Sequence, residues 1–348
     1  MKSVEINGRK IGAQYEPYVI AELSANHNGD LNRALKIIEM AKLNGADAIK
    51  LQTYTPDTMT IECDLDDFQI KGGLWGGNNL YQLYEKAQTP FEWHQVMFEY
   101  ARKIDLTCFS TPFDESAVDL LEDLNVQAYK IASFEAIDIP LIKYVAKTNK
   151  PMIISTGMAN LNEIEEAVDA AKCSGCKNMI LLHCISGYPT PPEQSNLRTI
   201  SDLAKRFDVV AGLSDHTLGT TVSVASIAMG ACVIEKHVTL SRADKGPDSE
   251  FSLEPTELKT LCTETKIAWS ALGEVNYDRK PVENENVKYR RSIYIVKDIK
   301  EGEKLTKENI RRIRPGFGLA PKYYDEVLGK TINMDLSRGT ALSRKHLK

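Results

Sequence analysis

Short apolar, β-branched runs alternate with stretches in which apolar residues return every three or four positions through the first 280 residues. Period-two and continuous apolar runs predict strands at Tyr18–Ser24, Ala48–Tyr54, Leu106–Ser110, Ala128–Ser133, Met152–Gly157, Met179–Cys184, Val209–Asp215 and Cys232–Val238. Helical spacing between them includes Leu31–Leu43, Glu115–Leu124, Asn162–Lys172 and Thr220–Met229. Strand and helix in strict alternation imply right-handed βαβ units on a parallel sheet. Eight such units in 280 residues match a closed (β/α)8 TIM barrel, residues 1–280. A doubly wound open sheet is the rival. It has fewer strands as a rule, and its usual Gly-x-Gly-x-x-Gly turn is missing here.

Two segments break the rhythm. Thr55–Thr89 carries Lys71-Gly72-Gly73-Leu74-Trp75-Gly76-Gly77-Asn78-Asn79. A long loop after the second strand falls on the C-terminal face of a barrel, where loops carry function. It reads as a substrate-covering loop rather than a surface excursion, because glycines flank Trp75. After Gly273 the composition turns polar. Residues 281–291 read as a linker, and residues 292–348, with short β runs and turns, as a small module that is marginal alone.

Composition adds exclusions. The chain has 348 residues, 43% apolar and 26% charged, ordinary for a globular protein. No apolar run approaches the ~20 residues of a membrane helix, and the start, MKSVEINGRKIG, has no signal-peptide core. A cytoplasmic location is the expectation, with no membrane partner. The formal net charge of −5 argues against general nucleic-acid binding, so an anionic ligand must be held by a local cluster of cations. Seven cysteines, an odd number, imply reduced thiols. Cys173 and Cys176 have redox or half-zinc spacing but no second pair, and read as helix-end packing.

In a barrel the chemistry lies at the C-terminal strand ends, where side chains alternate inward and outward. Lysines inside parallel strands are the sharpest anomaly, because a core-facing lysine is costly unless paired. Lys50 and Lys130 either converge on a phosphate or carboxylate or snorkel outward. Strand ends supply His216 and His237, a candidate divalent-ion pair or two structural imidazoles. Glu22 and Glu135 are candidate acid–base carboxylates. Asp248, in Gly246-Pro247-Asp248, either faces the site or closes a turn. His94 and His346 read as structural, His183 as a satisfied core group, and His27 stays open. Serine-hydrolase, Walker A, HExxH and kinase signatures are missing. A Schiff-base pyruvate aldolase on Lys50 or Lys130 remains open, as does a non-catalytic carbohydrate-binding protein.

A series of ordered motifs carries a resemblance. They are Ala21-Glu22-Leu23-Ser24-Ala25-Asn26-His27-Asn28-Gly29, Ile49-Lys50-Leu51-Gln52-Thr53-Tyr54, Ser110-Thr111-Pro112-Phe113-Asp114, Tyr129-Lys130-Ile131-Ala132-Ser133, Ser155-Thr156-Gly157-Met158, Tyr188-Pro189-Thr190, Ser214-Asp215-His216-Thr217, Glu235-Lys236-His237 and Gly246-Pro247-Asp248. Through them the chain resembles the sialic acid synthases. Arg290-Arg291-Ser292, Arg314-Pro315-Gly316 and Leu328-Gly329-Lys330 look like that family's antifreeze-like (SAF) domain.

The resemblance implies condensation of phosphoenolpyruvate with an N-acylated amino sugar, with release of phosphate. It implies a divalent metal, most often Mn²⁺ with Mg²⁺ or Co²⁺ as alternatives, on His216 and His237. It implies catalytic roles for Glu22, Lys50, Lys130, Glu135 and Asp248. It implies substrate binding by Gln52, Thr111, Ser133, Ser155, Ser186 (where relatives often carry Asn), Tyr188 and Ser214. Arg314 would reach the sugar from a second subunit, giving a domain-swapped homodimer. Four details depart from the N-acetylneuraminate-making branch: Glu22–His27, Ala132–Glu135, Ser249–Ser252 and Lys71–Trp75. Together they look like the pseudaminic acid branch, whose acceptor is 2,4-diacetamido-2,4,6-trideoxy-L-altrose. N-acetylneuraminate and legionaminic acid synthesis are the alternatives.

Overall fold

The computed structural model describes residues 2–348. The chain divides into two compact units, Met1–Gly273 and Glu274–Lys348.

The first unit is a TIM barrel. Eight parallel strands close it: β3 (Tyr18–Glu22), β4 (Ala48–Thr53), β5 (Thr107–Pro112), β6 (Tyr129–Ile131), β7 (Met152–Ser155), β8 (Met179–Cys184), β9 (Val210–Asp215) and β10 (Val233–His237). They follow one another round the wall, and β10 pairs with β3 to seal it. Each lies within one of the expected runs except β5, which continues past Ser110 to Pro112. Several expected runs overreach at their C-terminal ends, where the backbone turns out of the sheet into short 3₁₀ segments such as Ser24–His27 and Phe134–Ile137.

The helix Leu31–Leu43 (α1) shows how the wall is covered. Asp30 caps it by accepting from Asn32 N–H. Ala34, Ile37, Ile38 and Ala41 form one fully buried stripe against the sheet. Each isoleucine so buried contributes about 2 kcal/mol.

Ahead of the barrel lies a hairpin that the sequence reading did not include, β1 (Val4–Ile6) with β2 (Arg9–Ile11). Asn7 and Gly8 take φ of 48° and 78°, as a two-residue hairpin turn requires. Asn7 Nδ2 donates to Thr107 Oγ1 (3.2 Å) at the start of β5, so the hairpin sits on the N-terminal face, away from the site.

The insertion 55–89 is not a plain loop. It contains the helices Pro56–Met59 (α2) and Leu80–Ala87 (α3), each opened by a reciprocal side-chain cap, Thr55 with Thr58 and Asn79 with Gln82.

The second unit pairs β11 (Ser292–Ile295) with β12 (Ile310–Ile313), antiparallel, over a small core that includes Ile293, Ile295, Ile299, Leu305, Ile332 and Leu342. The stretch expected as a linker holds a 3₁₀ run, Pro281–Tyr289, and the Lys288 carbonyl accepts from Gly316 N–H within this unit. No helix among the described residues is long and apolar enough to cross a membrane.

Candidate active site

Strand parity sorts the polar residues into two sets. On one face of the strands, Thr53 Oγ1 meets His94 Nε2 (2.8 Å) and Ser110 Oγ (2.6 Å), and Lys236 Nζ meets Asp215 Oδ2 (2.8 Å). These are buried outside the barrel channel, between sheet and helices. One residue on, the side chains point inward.

The inward set forms a charged ring. Lys50 Nζ lies 2.7 Å from Glu22 Oε2 and donates to Thr111 Oγ1 (2.9 Å). It is 3.8 Å from Glu235 Oε1, and Lys130 Nζ lies 3.4 Å from the same oxygen. Gln52 Nε2 donates to Glu22 Oε1 (3.2 Å), and Ser214 Oγ to Glu235 (3.4 Å). Both lysines are therefore inward and paired, and the outward, snorkelling alternative is excluded. Glu235 has no assigned role in the sequence reading. Its signal was available: it stands two residues before His237, on the same face of β10.

Burial sets the proton affinities. It raises the Glu22 carboxyl to about 7, against the pull of Lys50. Burial likewise raises Glu135, beside Lys130, to about 7. Glu235 is opposed by burial but held below the usual carboxylate range by Lys130 and Lys50. Burial pushes Lys130 down. The ring thus holds two carboxyl groups that titrate near neutrality beside one that stays ionised.

Next to the ring is a notch. Gly157 N–H donates to Ser133 Oγ (3.2 Å). A Cβ added at Gly157 would fall 2.4 Å from Ser186 Oγ and 2.7 Å from Ser133 Oγ, so only glycine leaves the notch open. Ser155 Oγ and Ser186 Oγ are buried without hydrogen-bond partners. Buried hydroxyls left unpaired are costly, and an anion with several oxygens satisfies them.

The two histidines stand two residues beyond Ser214 and Glu235 on neighbouring strand ends, with ring centroids 5.4 Å apart. His216 Nδ1 is 3.0 Å from the Ile185 carbonyl, which leaves Nε2 as its free nitrogen when Nδ1 carries the proton. His237 Nδ1 is buried with no hydrogen-bond partner, 3.8 Å from Asp248 Oδ2. Burial, then His216 and Lys50, lower the His237 imidazole well below its ordinary value, which keeps it in the neutral, ligating form. An orphaned imidazole nitrogen facing a second imidazole fits a divalent cation with open positions. Among the described residues no group of three His, Cys, Asp or Glu forms a closed metal cage. Asp248 is buried and accepts from Ser24 Oγ. It therefore both belongs to a turn and faces the site.

Beyond the histidines the wall is aromatic. Tyr188 packs on His216 (4.5 Å) and Phe251 (5.3 Å), Phe251 on His237 (4.9 Å), and Trp75 on Tyr188 (5.5 Å). Trp75 Nε1 donates to the Pro247 carbonyl (3.0 Å), pinning the insertion over the Gly246–Asp248 turn. Phe251 and the placement of Trp75 are contacts between distant segments, which no local pattern signals.

The remaining candidates fall outside this chamber. His94 is structural, and His183 Nε2 contacts the Ser195 carbonyl (2.7 Å). His27 is buried, with Nδ1 accepting from Gly29 N–H. All seven cysteines are free thiols; Cys173 is exposed and Cys176 buried. Arg314 lies in the second unit, exposed.

The family model described as NeuB family matches residues 37–277, and that of the SAF domain matches residues 290–348. The pseudaminic acid synthase of Campylobacter jejuni (strain 81-176) is 45% identical over 331 residues, 95% of this chain and 96% of the relative. The pseudaminic acid synthase of Helicobacter pylori is 44% identical over 328 residues, 94% and 96% of the two chains. Among solved structures, the N-acetylneuraminic acid synthetase of Leptospira borgpetersenii, in complex with citrate, superposes with a TM-score of 0.73 at 33% identity, over 82% of this chain and 95% of that one. A closed barrel with this inward ring, followed by a SAF domain, makes the chain a member of the NeuB family of sialic acid synthases.

Proposed function

We propose that the protein condenses phosphoenolpyruvate with 2,4-diacetamido-2,4,6-trideoxy-L-altrose and water, giving pseudaminic acid and inorganic phosphate. The observation that carries this reading is the pair of buried lysines beside the serine-lined notch at Gly157. Two cations and several free hydroxyls in a dry chamber suit a small polyanion. The acceptor follows from the pseudaminic acid synthases, 44–46% identical over most of the chain.

Lys50, Lys130, Ser133, Ser155 and Ser186 hold the phosphate and carboxylate, with Thr111 and Ser214 orienting the lysine and carboxylate partners. Gln52, Tyr188 and Asp248 hold the sugar. His216 and His237 would hold a divalent cation, Mn²⁺ in this proposal, which supplies Lewis-acid polarisation of the sugar aldehyde. The enol π-electrons of phosphoenolpyruvate form the new carbon–carbon bond at that aldehyde carbon. Its oxygen takes up a proton, for which Glu135, its carboxyl raised by burial to about 7, is the acid in this reading. Water adds to the electron-poor carbon 2, and Glu22 accepts its proton. The C–O bond to phosphate then breaks, phosphate leaves with the electron pair between the two lysines, and the carbon 2 hydroxyl gives up its proton to become the ketone. The phosphorus–oxygen bond is untouched.

A domain-swapped homodimer completes the reading, with Arg314 of one subunit reaching the sugar in the other. Charge supports it: residues 274–348 carry 18 basic against 11 acidic side chains in a chain of net charge −5, so the barrel is strongly acidic and the tail basic.

The test is phosphate release from phosphoenolpyruvate with three acceptors side by side: the trideoxy diacetamido altrose, its legionaminic-type isomer and N-acetylmannosamine. A preference for the first is expected. Preference for either of the others reassigns the acceptor, and borohydride trapping of a pyruvate–lysine adduct would replace the mechanism by a Schiff-base one.

A further inference from the structure

The charged ring serves the phosphoenolpyruvate end of the chamber, and of its aromatic wall only Tyr188 has a role so far, which leaves Phe251 and Trp75. That wall is ordered outward from the histidines. Phe251 and Tyr188 lie directly on His237 and His216, and Trp75 lies on Tyr188, one layer farther out. Trp75 and Leu74 also line, with Pro247 and Asn28, a cleft of about 960 Å³ that none of the ring lysines or the two histidines enters. Trp75 therefore stands where the inner chamber meets the outside.

The rim of this cleft also carries charged side chains, Lys245 and Glu250 among them, but Trp75 itself has no polar atom to spare. The single indole N–H is spent on the Pro247 carbonyl. What Trp75 offers a ligand is its apolar face. A hydroxyl pressed against that face gives up water without a partner, whereas a methyl gains contact area.

With its aldehyde at the histidines, as in the activity proposed above, a six-carbon acceptor would run outward along this wall and bring carbon 6 toward Trp75. We propose that Trp75 is a specificity-determining residue, selecting acceptors whose carbon 6 is a methyl rather than a hydroxymethyl group. The inference rests on the activity proposed above. It gives the Gly-Gly-Leu-Trp-Gly-Gly run of the insertion a chemical task beyond covering the site.

The experiment uses the full-length protein with Mn²⁺ and phosphoenolpyruvate, and two acceptors that differ only at carbon 6. The wild type is expected to favour the 6-deoxy acceptor by roughly 10- to 100-fold in kcat/KM, the range a single apolar contact supports. In Trp75→Ala the preference should shrink about tenfold, mostly through KM for the deoxy acceptor. Trp75→Phe, which keeps an apolar ring without the N–H, should retain most of it. If the alanine variant does not fold, Trp75→His, a ring with polar edges at the same place, should lower the same ratio. A wild type that uses both acceptors equally, or a folded Trp75→Ala or Trp75→His with an unchanged ratio, overturns the inference and leaves the synthase activity standing. A wild type that releases phosphate with neither acceptor overturns the activity reading and the inference together.

Discussion

Lys130 Nζ lies 3.4 Å from Glu235 Oε1, in an ion pair with both side chains buried at the centre of the barrel mouth. Glu235 also faces Lys50 at 3.8 Å, so this carboxylate is shared by both lysines, with Glu22 as the nearer partner of Lys50 at 2.7 Å. Glu235→Gln should leave buried positive charge uncompensated and lower stability by about 3 kcal/mol. Phosphoenolpyruvate should then stabilise the variant more than the wild type, because the ligand replaces the missing charge. Urea unfolding with and without the ligand measures both, and an equal ligand effect in the two proteins would refute this account.

The notch at Gly157 gives a second prediction. In Gly157→Ala the new methyl lands on Ser186 and Ser133 hydroxyls, which are flexible ends that can rotate away. Stability should change little, while KM for phosphoenolpyruvate should rise about tenfold or more as the hydroxyls are displaced. Steady-state kinetics beside a melting curve separates the two effects.

Glu135 makes stability depend on pH. Its carboxyl has a pKa of about 7 in the fold against 4.5 ordinarily. The folded state therefore holds the proton more tightly. The resulting stabilisation is complete below pH 4.5, declines as pH rises through this window and is gone above pH 7. It amounts to at most about 3 kcal/mol. Unfolding free energies for Glu135→Gln between pH 4.5 and 7.5 should be correspondingly flatter than wild type; parallel curves would contradict the assignment.

Removing metal should stop turnover. Chelation is expected to abolish phosphate release and Mn²⁺ to restore it, while His216→Ala and His237→Ala should each weaken Mn²⁺ binding at least about tenfold. Titration calorimetry reads the binding directly, and near-normal metal-independent turnover in His216→Ala would exclude the histidine site.

Sharing of the site between subunits is testable by mixing. Arg314→Ala and His216→Ala should each be nearly inactive alone. Refolded together they should recover roughly a quarter of wild-type activity, the share of intact sites in a random mixture of two-fold dimers. No recovery would mean that each tail serves its own barrel.

Much of this was legible in the sequence because strand parity is a strict rule. Lys50 and Gln52 share one face by spacing alone, His237 falls at the end of β10, and the helix Leu31–Leu43 keeps its expected bounds; which face of the strands turns inward is decided by closure of the barrel. The β1–β2 hairpin is equally legible from Asn7-Gly8 between alternating runs, although it stands ahead of the repeating pattern and outside it. Glu235 was visible as a residue but not as a partner. Its importance depends on which lysines meet it across the barrel, and closure of a ring is not encoded locally. The same holds for Trp75 on Tyr188 and Phe251 on His237, where side chains from loops after different strands converge.

The pair formed by Asp215 and Lys236 has a further bearing on how this protein should be probed. These residues immediately precede His216 and His237 and face away from the channel, bonded to each other between adjacent strands. A one-residue slip of either strand would turn its histidine to the outside and cost the pair its partner. Loss-of-function screens will therefore score Lys236 alongside Lys50, although no ligand in the channel can touch it. Chemical rescue by small cations or anions will distinguish the two lysines, since only the inner one stands where a solute can take its place.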